Sequence, residues 1–273
     1  MDRDSLYSAL ITHYSYLMIG IFDSGVGGLS VWQKLKDELP GASTMYLADS
    51  AFAPYGEKNQ GEIIDRSKRV ARTLIEHGAT MILIACNTAT VNAIDALRDE
   101  FPETPLVGIE PAIKPAAAVS DAIVVLGTNS TVNNARYRAL VDDHAPDKQV
   151  WNIGAPELVH QVERGDLIDT TILSQKLTQP VFEGASALVI GCTHFSFLIP
   201  TIEKSWPHLQ IFDGADGAVR RAETIAADLN LDDDDHPTDT FVTTGPPRTV
   251  TFTDPPTTFT HLELSNVQVS LGK

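Results

Sequence analysis

The chain has 273 residues, 43% of them hydrophobic, with a formal net charge of −16 and two cysteines. That length makes one large domain or two of ordinary size. The acidity excludes a nucleic-acid or anionic-membrane surface, since both need basic patches, and two cysteines exclude a disulfide-built secreted scaffold.

The opening segment MDRDSLYSALITHYSYLM is polar throughout and makes a poor signal peptide. The first strand, MIGIF (18–22), leads to a helix over 29–39, and the second, TMYLAD (44–49), to a helix over 60–77. TMILIAC (80–86) precedes a helix over 89–100, and PLVGIE (105–110) runs into the proline-interrupted stretch EPAIKP. AIVVLGT (122–128) and a helix over 130–144 follow, then KQVWNIG (148–154) with helices over 156–164 and 170–183. ALVIGC (187–192), a helix over 197–205 and LQIFDG (209–214) complete the alternation. The helices rest on apolar residues recurring at helical spacing and the strands on short unbroken apolar runs. Such alternation predicts parallel sheets covered on both faces, with ligands outside the carboxyl ends of the strands. None of the apolar runs approaches the ~18–20 residues of a membrane span, so the sequence points to a cytoplasmic protein. The tail from 238 is rich in Thr and Pro with short β-like runs, and reads as strands that finish or cap a domain. The acid run Asp232–Asp235 reads as a solvated loop, because calcium loops space their ligands with glycine between.

Two segments repeat one another. ILIACNTA (82–89) and LVIGCTHF (188–195) each end a buried strand with a small residue, then cysteine, then polar residues. One such cysteine is ordinarily a small core residue; the chain's only two, at matched strand ends in its two halves, call for a joint role. A redox pair is one option, although such pairs usually sit close in sequence. Proton transfer at one carbon from opposite faces is the other: inversion needs a base on one side and an acid on the other, and a thiol can be tuned toward neutrality for either task.

FDSGVGG (22–28) follows the first strand, and its glycines allow backbone N–H groups to approach an anion at a helix start. Asp23 and Ser24 fall beside the expected place of Cys86. In ADSAFAPYG (48–56), Tyr55 could close over a ligand. Thr128 and Thr131 in GTNST could grip a carboxylate, and His194, two residues after Cys192, could polarise that thiol. Glu163 in PELVHQVE reads as a surface charge on a helix. The chain shows no zinc spacing, no P-loop and no pyridoxal-type lysine signal.

FDSGVGGLSV, PYGEK, CNTAT, GIEPA and GCTHF, in this order and spacing, resemble the bacterial glutamate racemases. The likeness runs from about residue 18 to 223, and more weakly through FVTTGPP and the closing LGK. It implies two similar α/β domains with parallel-rich sheets and an active site in the cleft between them, here 18–110 plus 211–273 and 111–210, with 1–17 as an extension. It also implies L-/D-glutamate as substrate, no cofactor, no metal, a homodimer, and a role in supplying D-glutamate for peptidoglycan. Cys86 and Cys192 would be the two bases, the first acting on D-glutamate and the second on L-glutamate. Asp23 would assist Cys86, while His194 and Glu163 would assist Cys192. Substrate contacts would come from Asp23, Ser24, Pro54, Tyr55, Gly56, Asn87, Thr88, Thr128 and Thr193.

There are departures. Ala155 replaces a further cysteine of many members, and Phe52-Ala53 precedes Pro-Tyr-Gly where an Arg-Cys-like pair is common. Many members begin just before MIGIFDSG, which makes Met18 an alternative start and residues 1–17 an added leader. Aspartate racemases share the fold and thiol pair but tend to carry Glu where this chain has His194. A non-catalytic binding or regulatory protein on the same scaffold is the rival from another class.

Overall fold

The computed structural model describes residues 16–165, 169–231, 236–251 and 253–264. The acid run, residues 1–15 of the expected leader and the closing LGK lie outside the described residues. In chain order the elements are β1 (Met18–Asp23), α1 (Leu29–Glu38), β2 (Ser43–Ala48), α2 (Gln60–Glu76), β3 (Met81–Ile84), α3 (Asn87–Glu100) and β4 (Leu106–Gly108). Then come α4 (Ile113–Ala117), β5 (Ala122–Gly127), α5 (Asn129–Val132), α6 (Ala135–His144), β6 (Gln149–Gly154), α7 (Pro156–Arg164) and α8 (Thr170–Phe182). The last are β7 (Ala187–Gly191), α9 (Ile199–Ser205), β8 (Gln210–Asp213), α10 (Ala215–Leu229), β9 (Asp239–Thr243), β10 (Arg248–Val250) and β11 (Thr257–His261).

These strands form two sheets, each the centre of an α/β unit. One has seven strands in the order β10-β11-β9-β2-β1-β3-β4, and the other has four in the order β6-β5-β7-β8. Every pairing is parallel except that between β10 and β11. The order β2-β1-β3-β4 has the same winding as β6-β5-β7-β8. In each, the chain steps to one side of its first strand and then crosses to the other. That reversal opens a crevice at the carboxyl ends of β1 and β3, and of β5 and β7. Cys86 follows β3 and Cys192 follows β7, so the two thiols occupy equivalent points of two similarly wound sheets.

Side-chain alternation along the strands divides the core. Ile19 and Ile21 of β1, Leu83 of β3, Val124 and Leu126 of β5, and Leu188 and Ile190 of β7 all belong to one apolar cluster. The inner faces of both sheets therefore share a core, and burial joins the two units. The opposite faces are separate: Phe22, Ile82 and Ile84 pack under α2 and α3, while Ile123, Val125 and Val189 pack with Tyr137 of α6. No described helix is long and apolar enough to cross a membrane.

Three expectations change. The boundary expected between 210 and 211 falls within β8, which pairs with β7, so the second sheet extends to Asp213. The helix expected over 130–144 is two helices, because the Asn134 side chain accepts the Arg136 N–H at 2.8 Å and starts a new cap. The stretch 215–229, not expected to be helical, forms α10. Its buried face is mostly alanine (215, 218, 222 and 226) with Val219, which gives little apolar periodicity to read.

Candidate active site

Cys86 is the N-cap of α3. Its Sγ accepts the Ala89 N–H at 3.4 Å and lies 3.6 Å from the Ser24 Oγ. Ser24 in turn donates to Asp23 Oδ1 at 3.0 Å, so the serine oxygen is free to accept the thiol proton. Burial pushes the Cys86 thiol up and the Asp23 charge adds to that push, while the Ala89 and Ser24 contacts act against it. Asp23 is fully buried. Besides Ser24 it accepts the Gly25 N–H at 3.1 Å and, on Oδ2, the Thr193 hydroxyl at 2.9 Å. Burial raises the Asp23 carboxyl above its ordinary range despite the His194 charge and the Thr193 hydroxyl. A polar chain thus runs from Cys86 through Ser24 and Asp23 to Thr193, the residue after Cys192.

Cys192 faces a different helper. Its Sγ lies 3.6 Å from His194 Nδ1, and His194 Nε2 meets Glu163 Oε1 at 2.6 Å. Glu163 Oε1 also accepts the Val26 N–H at 2.9 Å, and Arg248 Nη1 reaches Oε2 at 3.2 Å. Burial opposes the His194 charge, but the contacts with Cys192 and Glu163 outweigh it and hold the imidazole well above its ordinary value. Burial opposes the Glu163 charge too, yet His194, Val26 and Arg248 together hold that carboxyl below its usual range.

This geometry corrects two readings of the sequence. Glu163 is not a surface charge: its side chain is 16% exposed and clamped on both oxygens. The FDSGVGG turn does cradle an anion, but that anion is the Glu163 carboxylate. A Cβ at Gly25 would lie 1.7 Å from Glu163 Oε1, and one at Gly27 would lie 2.5 Å from His194 Nδ1. The glycines make room for the Cys192 helpers.

One cleft receives both thiols. Ser24, Pro54, Tyr55, Gly56, Asn87, Thr88, Thr128, Thr193 and His194 line it with Cys86 and Cys192. Asp23 and Glu163 stand behind that lining rather than in it. Among the described residues, both polar atoms of the buried Asn87 amide lack a hydrogen-bond partner. A buried amide carries a desolvation cost unless something completes it, and here it adjoins the cleft. Thr88 Oγ1 lies 2.9 Å from Thr128 Oγ1 and 3.2 Å from Thr131 Oγ1, a cluster of hydroxyls at the start of α3 and the end of β5. Thr131 belongs to that cluster without lining the cleft. Glu57, Asn129, Pro156 and Val159 also line it, although the sequence did not single them out. Glu57 and Asn129 directly follow PYG and Thr128, so adjacency was the available signal.

Tyr55 is not a free lid. Its hydroxyl donates to Asp49 Oδ2 at 2.7 Å, and Asp49 also takes Arg66 Nε at 2.7 Å and the Thr244 hydroxyl at 2.7 Å. This buried carboxylate anchors the Pro54–Gly56 turn. Asp49→Asn is expected to lower stability by about 2 kcal/mol, since it leaves Arg66 without its anion. Urea unfolding measures the loss, and an unchanged midpoint would show that the turn holds without the ion pair.

Known proteins resemble this chain over most of its length. The Asp/Glu/Hydantoin racemase family model matches residues 19–222. Glutamate racemase of Pseudomonas aeruginosa is 41% identical over 213 residues, covering 76% of this chain and 80% of that protein. Among solved structures, Escherichia coli glutamate racemase in complex with L-glutamate and the activator UDP-MurNAc-Ala superposes with a TM-score of 0.78 at 29% identity, over 84% of this chain and 90% of that one. Francisella tularensis glutamate racemase in complex with D-glutamate gives a TM-score of 0.75 at 25% identity, over 85% and 90%. With the matched region spanning both cysteine-bearing strand ends, the four-stranded sheet and β1 to β4 of the seven-stranded one, the chain belongs to the Asp/Glu/hydantoin racemase family.

Proposed function

We propose that this protein interconverts L- and D-glutamate by two-base proton transfer at Cα, without a cofactor, and supplies D-glutamate for peptidoglycan synthesis. The observation that carries the reading is the pair of thiols at equivalent strand ends, open to one cleft and each backed by a different helper. The helpers favour opposite states. Ser24 offers Cys86 an acceptor, which suits a thiol, while the charged His194 offers Cys192 a donor, which suits a thiolate. In this form Cys192 removes the Cα proton of L-glutamate, Cys86 delivers one to the opposite face, and the thiols exchange states. The reverse reaction starts from the exchanged form. The Asn87 amide and the Thr88–Thr128 hydroxyls are suited to the substrate carboxylates, where charge grows as the proton leaves. The protein acts as a homodimer, as the family resemblance implies. The domains we assign are the units around the two sheets.

The test is solvent exchange. Each enantiomer of glutamate and of aspartate is incubated with the protein in D2O, and deuterium at Cα is followed together with optical rotation. We expect exchange with inversion for glutamate and little for aspartate. The opposite preference would move the substrate to aspartate, and no exchange with any of the four would leave a binding protein on a racemase scaffold.

The helpers also fix a pH response. Glu163 is held below its ordinary 4.5, so it stays ionised as pH falls toward that value. His194 is held above its ordinary 6.5, so it stays charged as pH rises through that value. The Glu163 contribution to stability is present above its ordinary value and lost as pH falls through the depressed one. The His194 contribution is present below 6.5 and lost as pH rises through the raised one. Racemisation should therefore pass through pH 6.5 without a step. A kcat/KM profile with a limb centred there would mean that Glu163 does not hold the imidazole charged.

A further inference from the structure

Arg248 opens β10, far along the chain from either cysteine and in the tail that the sequence presents as a domain cap. It reaches from the seven-stranded sheet to α7, which belongs to the other unit. Its Nη1 lies 3.2 Å from Glu163 Oε2, and its Nη2 donates to the Glu163 carbonyl oxygen. One guanidinium thus clasps both the side chain and the main chain of a single residue. Glu163 is the last but one residue of α7, where backbone carbonyls have no partner within the helix. The positive fork satisfies such a carbonyl and complements the negative end of the helix. With Oε1 given to His194 and Val26 and Oε2 to Arg248, the carboxylate is held facing the imidazole.

We propose that Arg248 is a positioning residue for the Cys192 half of the reaction: it locks the Glu163 carboxylate so that His194 stays aimed at the Cys192 sulfur. This rests on the two-thiol reading above. The other ionisable groups facing the cluster are Asp23 and Tyr46, both from the seven-stranded sheet. Asp23 repels Glu163 and adds no restraint to it. Arg248 is not among the residues lining the cleft, so its effect belongs on turnover rather than on substrate affinity.

The test uses the intact protein with R248M and R248K. In R248M, kcat for L-glutamate should fall about 10-fold with KM within about twofold of wild type, the size expected for one charge-assisted hydrogen bond. Iodoacetamide labelling without substrate, with Cys192 and Cys86 counted by peptide mass in the same molecule, separates positioning from general loosening. Cys192 should label about 10-fold more slowly relative to Cys86. R248K, which keeps the charge but not the fork, should recover part of that ratio. A folded R248M with wild-type kcat and labelling ratio would overturn the proposal, and so would equal slowing of both thiols. Should R248M fail to fold, the ratio is read in R248Q, where an unchanged value overturns the proposal equally. Failure of the wild type to turn over glutamate would count against the proposed function, while the labelling ratio would still decide the role of Arg248.

Discussion

Replacing Cys86 with alanine is expected to cut glutamate racemisation by about a thousandfold or more, in both directions, within the range lost when a positioned acid or base is removed. The loss must be mutual although the missing thiol faces only one side of Cα. L- and D-glutamate are mirror images with an equilibrium constant of one, so kcat/KM in the two directions must fall together. Direction enters elsewhere. With Cys192 intact, L-glutamate can still lose its proton to the remaining thiolate and regain a solvent-derived one on the same face. Deuterium should therefore enter L-glutamate with retention, and much more slowly enter D-glutamate. The fold should survive. Cys86 caps α3 through the 3.4 Å contact from the Ala89 N–H, and losing a cap costs about 1 kcal/mol. Polarimetry, exchange at Cα and thermal unfolding on one preparation check all three statements. A folded Cys86→Ala protein retaining a tenth of wild-type activity would end the two-base assignment.

How much of this site can be read from sequence depends on how local its causes are. The strands carrying the thiols are buried on both faces, so they stand out as unbroken apolar runs, and their cysteines stand out as a matched pair. The cleft-lining residues also lie in short motifs at strand ends, which parallel sheets bring together by topology alone. Read from its neighbours alone, without the family resemblance, Glu163 is a surface charge, because its surroundings in sequence describe only an amphipathic helix. What buries it is Arg248 on one side and the Gly25–Gly27 turn on the other, both remote in the chain. The same holds for Asp49, whose partners Arg66 and Thr244 come from α2 and from the end of β9. The tail reads as strands that finish or cap a domain, and β9 to β11 do complete the seven-stranded sheet, but its threonines and prolines give no sign that it also delivers Thr244 and Arg248 to the site. Helix α10 escaped notice because an alanine face packs as well as a leucine face but carries almost no hydrophobic contrast.

The turn after β1 gives the second large effect. At Gly27 an added methyl would sit 2.5 Å from His194 Nδ1 and 2.7 Å from the His194 backbone nitrogen. Neither distance is tolerable, and the backbone atom lies in the helical turn Thr193–Leu198 that follows Cys192, so it cannot swing aside as a side chain would. Relief must come from displacing His194, backbone and imidazole together, and Nδ1 is the atom that faces the Cys192 sulfur at 3.6 Å. Gly27→Ala is therefore expected to lose about 1–3 kcal/mol of stability, as for other overpacked sites. It should also lose roughly a hundredfold in kcat, since small displacements of a reacting constellation are that costly. Gly25→Ala makes the control. Its methyl would lie 1.7 Å from Glu163 Oε1, the far end of a side chain that can rotate away. Stability should then change less than in Gly27→Ala, while activity still falls, because the rotated carboxylate no longer meets His194. Steady-state kinetics with thermal unfolding of the two variants separates the cases. Wild-type kcat in a folded Gly27→Ala protein would mean that the position of His194 does not govern the chemistry at Cys192.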